Sequence, residues 1–226
     1  MIYGRTSFFP VFRRSRVDRK LDASYTTYPW GWHKNYVGRW IIEIPLSRDQ
    51  YGVFGHGCLL DIIADALEAL GGHFFPTQIE CPARNTLFDQ PLPLAPQVIR
   101  EALDRIWSTL ARDEGYEPAC DINGVSRIYV RNSSGITQAL VPHAIGLRLE
   151  CELGKKPVAR LSVHTKCDAW LERTLDGYDN KIVGSANGPA LTNRLIALET
   201  TLKGEITEIR SDFDQVYIDK YHLRNK

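Results

Sequence analysis

The stretch VSRIYVRNSSGITQALVPHAIGLRLECELGKKPVARLSVHT, residues 125–165, decides the fold. Its apolar residues recur at every second position rather than every third or fourth. Ile145, Leu147, Leu149 and Cys151 share one face of an extended chain, and Gly146, Arg148, Glu150 and Glu152 share the other. Ala159, Leu161 and Val163 alternate in the same way with Arg160, Ser162 and His164. A period of two marks strands with one packed and one wet face. Ser133-Ser134-Gly135 separates strands at Val125–Asn132 and Ile136–Val141. Leu153-Gly154-Lys155-Lys156 separates Ala144–Glu152 from Pro157–Thr165, and both breaks read as hairpin connections. The stretch predicts an antiparallel meander.

Toward the N-terminus the period becomes helical. Leu59, Ile62, Ile63, Ala66, Leu67 and Leu70 form one stripe with Asp61, Asp65 and Glu68 opposite, and Gly71-Gly72 follows as a stop. Pro96 opens a second helix striped by Ile99, Ala102, Leu103, Ile106, Trp107 and Leu110. Strands are expected at Arg39–Leu46 and His73–Glu80, with a loop over residues 81–94. Helices followed by a meander point to an α+β fold rather than a doubly wound parallel sheet.

Toward the C-terminus, Leu175–Gly188 is rich in Gly, Asn and Asp and reads as a loop. Pro189 then starts what reads as a long amphipathic helix over residues 189–219. Its stripe is Leu195, Leu198, Leu202, Ile206, Ile209, Phe213 and Val216, a helical spacing throughout. Gly204 interrupts it at about 1 kcal/mol, or ends one helix before another begins. So narrow a stripe resembles a coiled-coil seam and predicts a homo-oligomer, most simply a two-fold dimer. Packing of the same stripe along the chain's own sheet is the competing expectation. Glu199 and Lys203 are expected to pair on the exposed face. The chain thus divides into an arm (1–37), an α+β core (38–188) and the helix (189–219), within one structural domain.

Composition narrows the function classes. With 28 Lys and Arg against 27 Asp and Glu among 226 residues, the formal charge is +1. That removes any global pull toward nucleic acid or anionic membrane. No run approaches the roughly 20 apolar residues of a membrane span, and the first residues lack a signal-peptide core, so a cytoplasmic location is expected. Five cysteines at wide spacing, with no CxxC pair, read as reduced buried hydrophobes rather than a disulfide or zinc framework. The histidines form neither HxH nor HExxH, and no metal or cofactor is expected.

Two functions from different classes fit what remains. The arm carries Arg5, Arg13, Arg14, Arg16, Arg19 and Lys20, followed by Tyr25, Tyr28, Trp30, Trp32 and Tyr36. Trp, Tyr and Arg dominate protein-binding hot spots. The same mixture can stack and neutralise single-stranded nucleic acid, which the balanced charge disfavours. A non-catalytic interaction or assembly protein is therefore expected, docking a protein partner through Arg13, Arg14, Arg16, Trp30, Trp32 and Tyr36 and through the C-terminal helix.

The alternative is a thiol hydrolase. Cys58, in Gly55-His56-Gly57-Cys58, stands at the start of the first helix, where unpaired N–H groups favour a thiolate. His143 stands at the start of a later strand, and Asp168 follows that strand's partner. The layout is similar to that of papain-like cysteine hydrolases, which implies Cys58 as nucleophile, His143 as base and Asp168 as its orienting acid. Strand alternation argues against it, because it puts His143 and Asp168 on opposite faces.

Overall fold

The computed structural model describes residues 31–46, 56–81, 86–89, 94–110, 118–132, 135–152 and 156–226. Along the chain these form β1 (Gly38–Pro45), α1 (His56–Leu70), a 3₁₀ turn (Gly71–His73), β2 (Phe74–Cys81), β3 (Thr86–Asp89) and α2 (Pro96–Leu110). Then come β4 (Ala119–Asn132), β5 (Gly135–Glu152), β6 (Val158–Thr165), α3 (Lys181–Leu202), β7 (Glu205–Arg210), β8 (Val216–Ile218) and β9 (Leu223–Asn225). Seven strands form one sheet in the order β3-β2-β4-β5-β6-β1-β7, antiparallel at every pairing, and β8 and β9 form a separate pair. The fold is α+β, as the alternation predicts.

Each face of the sheet can be followed by register. Ile79, Ile122, Leu147, Val163, Trp40 and Ile209 align across six strands on the packed face. Helix α1 packs on both α2 and α3, and the apolar stripes of all three helices join that face in one buried cluster. On the wet face Asp121, Arg148, Ser162, Ile41 and Glu208 align. Charges alternate there: Arg148 reaches Asp121 at 3.1 Å and Glu150 at 2.5 Å, while Arg160 reaches Glu43 at 2.8 Å and Glu152 at 2.6 Å. The cross-strand pairs among these, Arg148 with Asp121 and Arg160 with Glu43 and Glu152, support a solvated sheet face by tenths of a kcal/mol each.

The meander differs from expectation at Pro142. Residues 135–152 form one strand, not two, because the chain absorbs the break as a bulge. Register passes from Val125↔Pro142 to Asn123↔Gly146, so Gly124 alone opposes three residues of β5. His143 takes up the kink with φ 55, a left-handed conformation in which His is enriched among non-glycine residues. Strand β3 lies within the stretch expected to be a loop.

The C-terminal expectation needs the larger correction. The helix begins at Lys181 and ends at Leu202. The glycines read as a turn lie inside it because α3 crosses the backbone at Trp170-Leu171. A Cβ on Gly184 would collide with the Leu171 carbonyl, and one on Gly188 would sit 3.6 Å from that of Trp170. Tertiary fit here outweighs poor intrinsic propensity. Lys203 closes the helix in the left-handed conformation, φ 50. Gly204 then passes so close to β1 that a Cβ would stand 2.7 Å from Ile42 Cγ2. The chain turns there and becomes β7, pairing with β1.

No continuous seam therefore runs through residues 189–219. Leu195, Leu198 and Leu202 are buried in the chain's own core, Ile206 and Ile209 lie on β7, Phe213 lies beyond it, and Val216 is buried on β8. Glu199 does not face Lys203. Its carboxylate accepts the Ile206 N–H at 2.8 Å, the Lys220 ammonium at 2.9 Å and the Tyr221 hydroxyl, fastening the end of α3 to β7 and to the turn between β8 and β9.

Candidate functional site

Cys58 stands in the first turn of α1, half-buried. Burial raises its thiol pKa, and the nearby Asp61 adds to this; the N–H groups of Cys58 and Leu59 oppose them, and the balance is upward. A thiolate nucleophile needs the opposite shift. His143 is exposed at the bulge of β5, beside the row in which Phe75, Val125 and Pro142 align. The far end of α1 feeds that row through Gly71–His73, and Cys58 lies about three turns, about 18 Å, back along the helix. The buried Asp168 carboxylate takes the N–H of Gly31 at 2.7 Å, the N–H of Leu175 at 2.9 Å and His33 Nε2 at 3.0 Å. It clamps residues 31–33 onto the loop after β6.

Of the expected partner surface, Arg13, Arg14, Arg16 and Trp30 lie outside the described residues. Trp32 and Tyr36 lie within them. His33 N–H bonds to the Lys166 carbonyl at 2.8 Å, and Val37 N–H to that of Thr165 at 2.9 Å. The segment therefore runs beside the end of β6. Trp32 remains 48% exposed. The Tyr36 ring has the Lys166 ammonium 5.2 Å and the Arg39 guanidinium 5.7 Å from its centroid, and tilts against His164 at 5.0 Å. Burial, then the charges of Lys166, Arg39 and Arg148, lower the His164 pKa to about 4. At neutral pH the His164 imidazole is neutral, and it shares this corner of the wet face with the Tyr36 ring, Lys166 and Arg39.

A second surface lies where sequence reasoning did not look. Strand β2 pairs with β4 only as far as Ser126, and β6 pairs with β5 only from Gly146 onward. Beyond those limits β4 and β5 pair with each other alone, over Arg127–Asn132 and Gly135–Leu140. The two outer edges of this extension are treated differently. On β4, Asn187 of α3 accepts the Tyr129 N–H at 2.7 Å and donates to the Tyr129 carbonyl at 2.9 Å.

That bond fixes the geometry of the other edge. The backbone of Tyr129 points toward α3 and so away from β5, making Tyr129↔Gln138 a non-hydrogen-bonded pair. The backbone N–H and C=O of Gln138 then point outward, as do those of Ile136 and Leu140, opposite Arg131 and Arg127. Among the described residues no strand pairs with them. Ile136 is 42% and Leu140 48% exposed.

Arg127, Tyr129 and Arg131 share their face. Arg127 lies over the Phe75 ring at 5.4 Å. Between Asn123 and Leu149 the chain has no acidic residue. Alternation made Ile136–Val141 legible as a strand, but its open edge follows from strand order, which alternation does not encode.

A cleft of about 720 Å³ separates α3 from β9, lined by Glu172, Ser185, Asn193, His222 and Arg224 among others. Four of these are held by local partners: Ser185 donates to Glu172 at 2.8 Å, and Asp219 holds His222 at 2.7 Å and Arg224 at 3.7 Å. Among the described residues, no cluster of His, Cys, Asp and Glu is placed to hold a metal ion, and no helix is long and apolar enough to cross a membrane. No family model, curated protein or solved structure matches this chain.

Proposed function

We propose that this chain is a non-catalytic interaction protein that docks another protein through the extended β4–β5 hairpin. The single observation that supports this reading is the outer edge of β5, with outward backbone groups and the exposed side chains Ile136 and Leu140. Proteins protect long edges with charges, proline, bulges or a covering element, because an open edge recruits strands. Here the sequence from Gly135 to Leu140 has no charge or proline, and among the described residues no bulge or covering element lies along it. Tyr36, packed beside His164, Arg39 and Lys166, lies over the same wet face, and the exposed Trp32 four residues before it extends the surface available to a partner. The apolar stripe of α3, buried in its own core, contributes no docking surface.

The hydrolase reading remains the alternative, and one pair of variants separates the two. A photo-crosslinking residue at position 136, in the cells that make the protein, should yield a discrete adduct with one partner. Gln138→Pro should abolish the adduct, and Cys58→Ser should preserve it along with biological activity. Loss of activity in Cys58→Ser with the adduct unaffected would favour the hydrolase.

A further inference from the structure

We infer that the partner at this edge is an acidic, extended protein segment that adds to the sheet as an eighth strand beside β5. The inference rests on the docking role proposed above and goes further by naming the chemistry of the occupant. Three features select it.

The first is the backbone. Outward N–H and C=O groups at Ile136, Gln138 and Leu140 offer ladder bonds that only an extended peptide satisfies. A helix or a folded surface would leave them unmade. The second is the side-chain row. Ile136 and Leu140 stand two positions either side of Gln138, so an added strand meets apolar, polar and apolar groups on its near face.

The third is charge. Arg127 and Arg131 lie one strand behind, on the same face, and neither makes an ion pair among the described residues. No carboxylate occurs in the hairpin to neutralise them. Strands stand about 4.8 Å apart, so an Arg on β4 can lean over β5 and reach a carboxylate on the added strand, Arg127 by leaving the Phe75 ring of β2 over which it lies. A second copy of this chain would bring the same two arginines toward each other across the new pairing. Charge therefore favours a different, acidic partner over self-association. Phosphates would also meet the arginines, but would leave the ladder groups unpaired.

The test uses the full chain, isotope-labelled for NMR, with three probes: a short peptide of alternating Glu and Val, its Lys–Val counterpart, and a short oligothymidylate. The Glu–Val peptide should shift the amide signals of residues 135–141 and slow exchange at Ile136, Gln138 and Leu140. The Lys–Val peptide should bind about tenfold more weakly, the scale of two exposed ion pairs. Arg127→Glu with Arg131→Glu should reverse that preference. Gln138→Pro removes only an outward N–H and should abolish binding while the unfolding midpoint stays near wild type.

No shift at millimolar Glu–Val peptide, or equal binding of the two peptides, would overturn the assignment of an acidic strand. Tighter binding of oligothymidylate at the same residues would overturn it in favour of nucleic acid. If the peptides fail while the position-136 adduct still forms and is lost in Gln138→Pro, the partner's chemistry is wrong and the docking edge stands. If the adduct is absent too, both readings fall.

Discussion

Asn187 and Tyr129, 58 residues apart, are joined by a two-way amide contact in which one helical side chain closes the edge of a strand. The Asn187 amide does for β4 what a further strand would do, accepting and donating at one residue, and it also donates to the Ala169 carbonyl at 3.2 Å. Nothing in the described residues does the same for β5. The contrast between the two edges of one hairpin underlies the functional reading.

Replacing Asn187 should therefore unfasten α3 from the sheet. Asn187→Leu strips the half-buried Tyr129 N–H and carbonyl and the Ala169 carbonyl of this partner, at about 2–4 kcal/mol. Asn187→Asp should cost at least as much, since a carboxylate keeps the acceptor but turns its second oxygen on two carbonyls. Urea unfolding of both variants checks this; a loss under about 0.5 kcal/mol would mean the contact is dispensable.

His164 predicts an acid limb in the stability profile. Its pKa of about 4 in the fold lies below the ordinary histidine value of about 6.5. Between those values the unfolded chain binds the extra proton, so stability rises with pH across the window. The stabilisation is complete above pH 6.5 and is lost as pH falls toward 4, by at most about 3 kcal/mol. His73, also lowered by burial and then by Arg194, works in the same direction. His164→Gln should flatten most of the decline between pH 7 and 5 when urea midpoints are compared, and an unchanged slope would contradict the assignment.

The cysteines should behave as structural thiols. Burial raises the pKa of Cys58, Cys81, Cys120 and Cys167, and only Cys58 is more than marginally accessible. Iodoacetamide near neutral pH should label the native chain at Cys58 alone, more slowly than free cysteine, and all five thiols once unfolded. Labelling of Cys58 faster than free cysteine would restore the nucleophile.

The meander, α1 and α2 were legible because their apolar periods run uninterrupted for several turns or strands, and burial enforces those periods directly. The start of α3 was not. Gly184, Gly188 and Pro189 carry every local mark of a turn, and they are helical because the helix must clear Trp170 and Leu171. The far end of α3 misled for a different reason. Ile206 and Ile209 continue a helical spacing by coincidence, while Gly204 turns the chain into an edge strand against β1. Among candidate residues, Trp32 stands out in the sequence as a Trp following a basic run, and the structure leaves it exposed. The β5 edge could not, because its opening depends on β6 being eight residues long while β5 is eighteen.

Amide hydrogen exchange on the isolated chain tests the open edge most directly. Thr137 and Ala139, bonded to β4, should be protected, while Ile136, Gln138 and Leu140 exchange close to unprotected rates and become protected only when a partner strand binds. Equal protection at all five positions in the isolated chain would show the edge already covered, and would contradict the docking account.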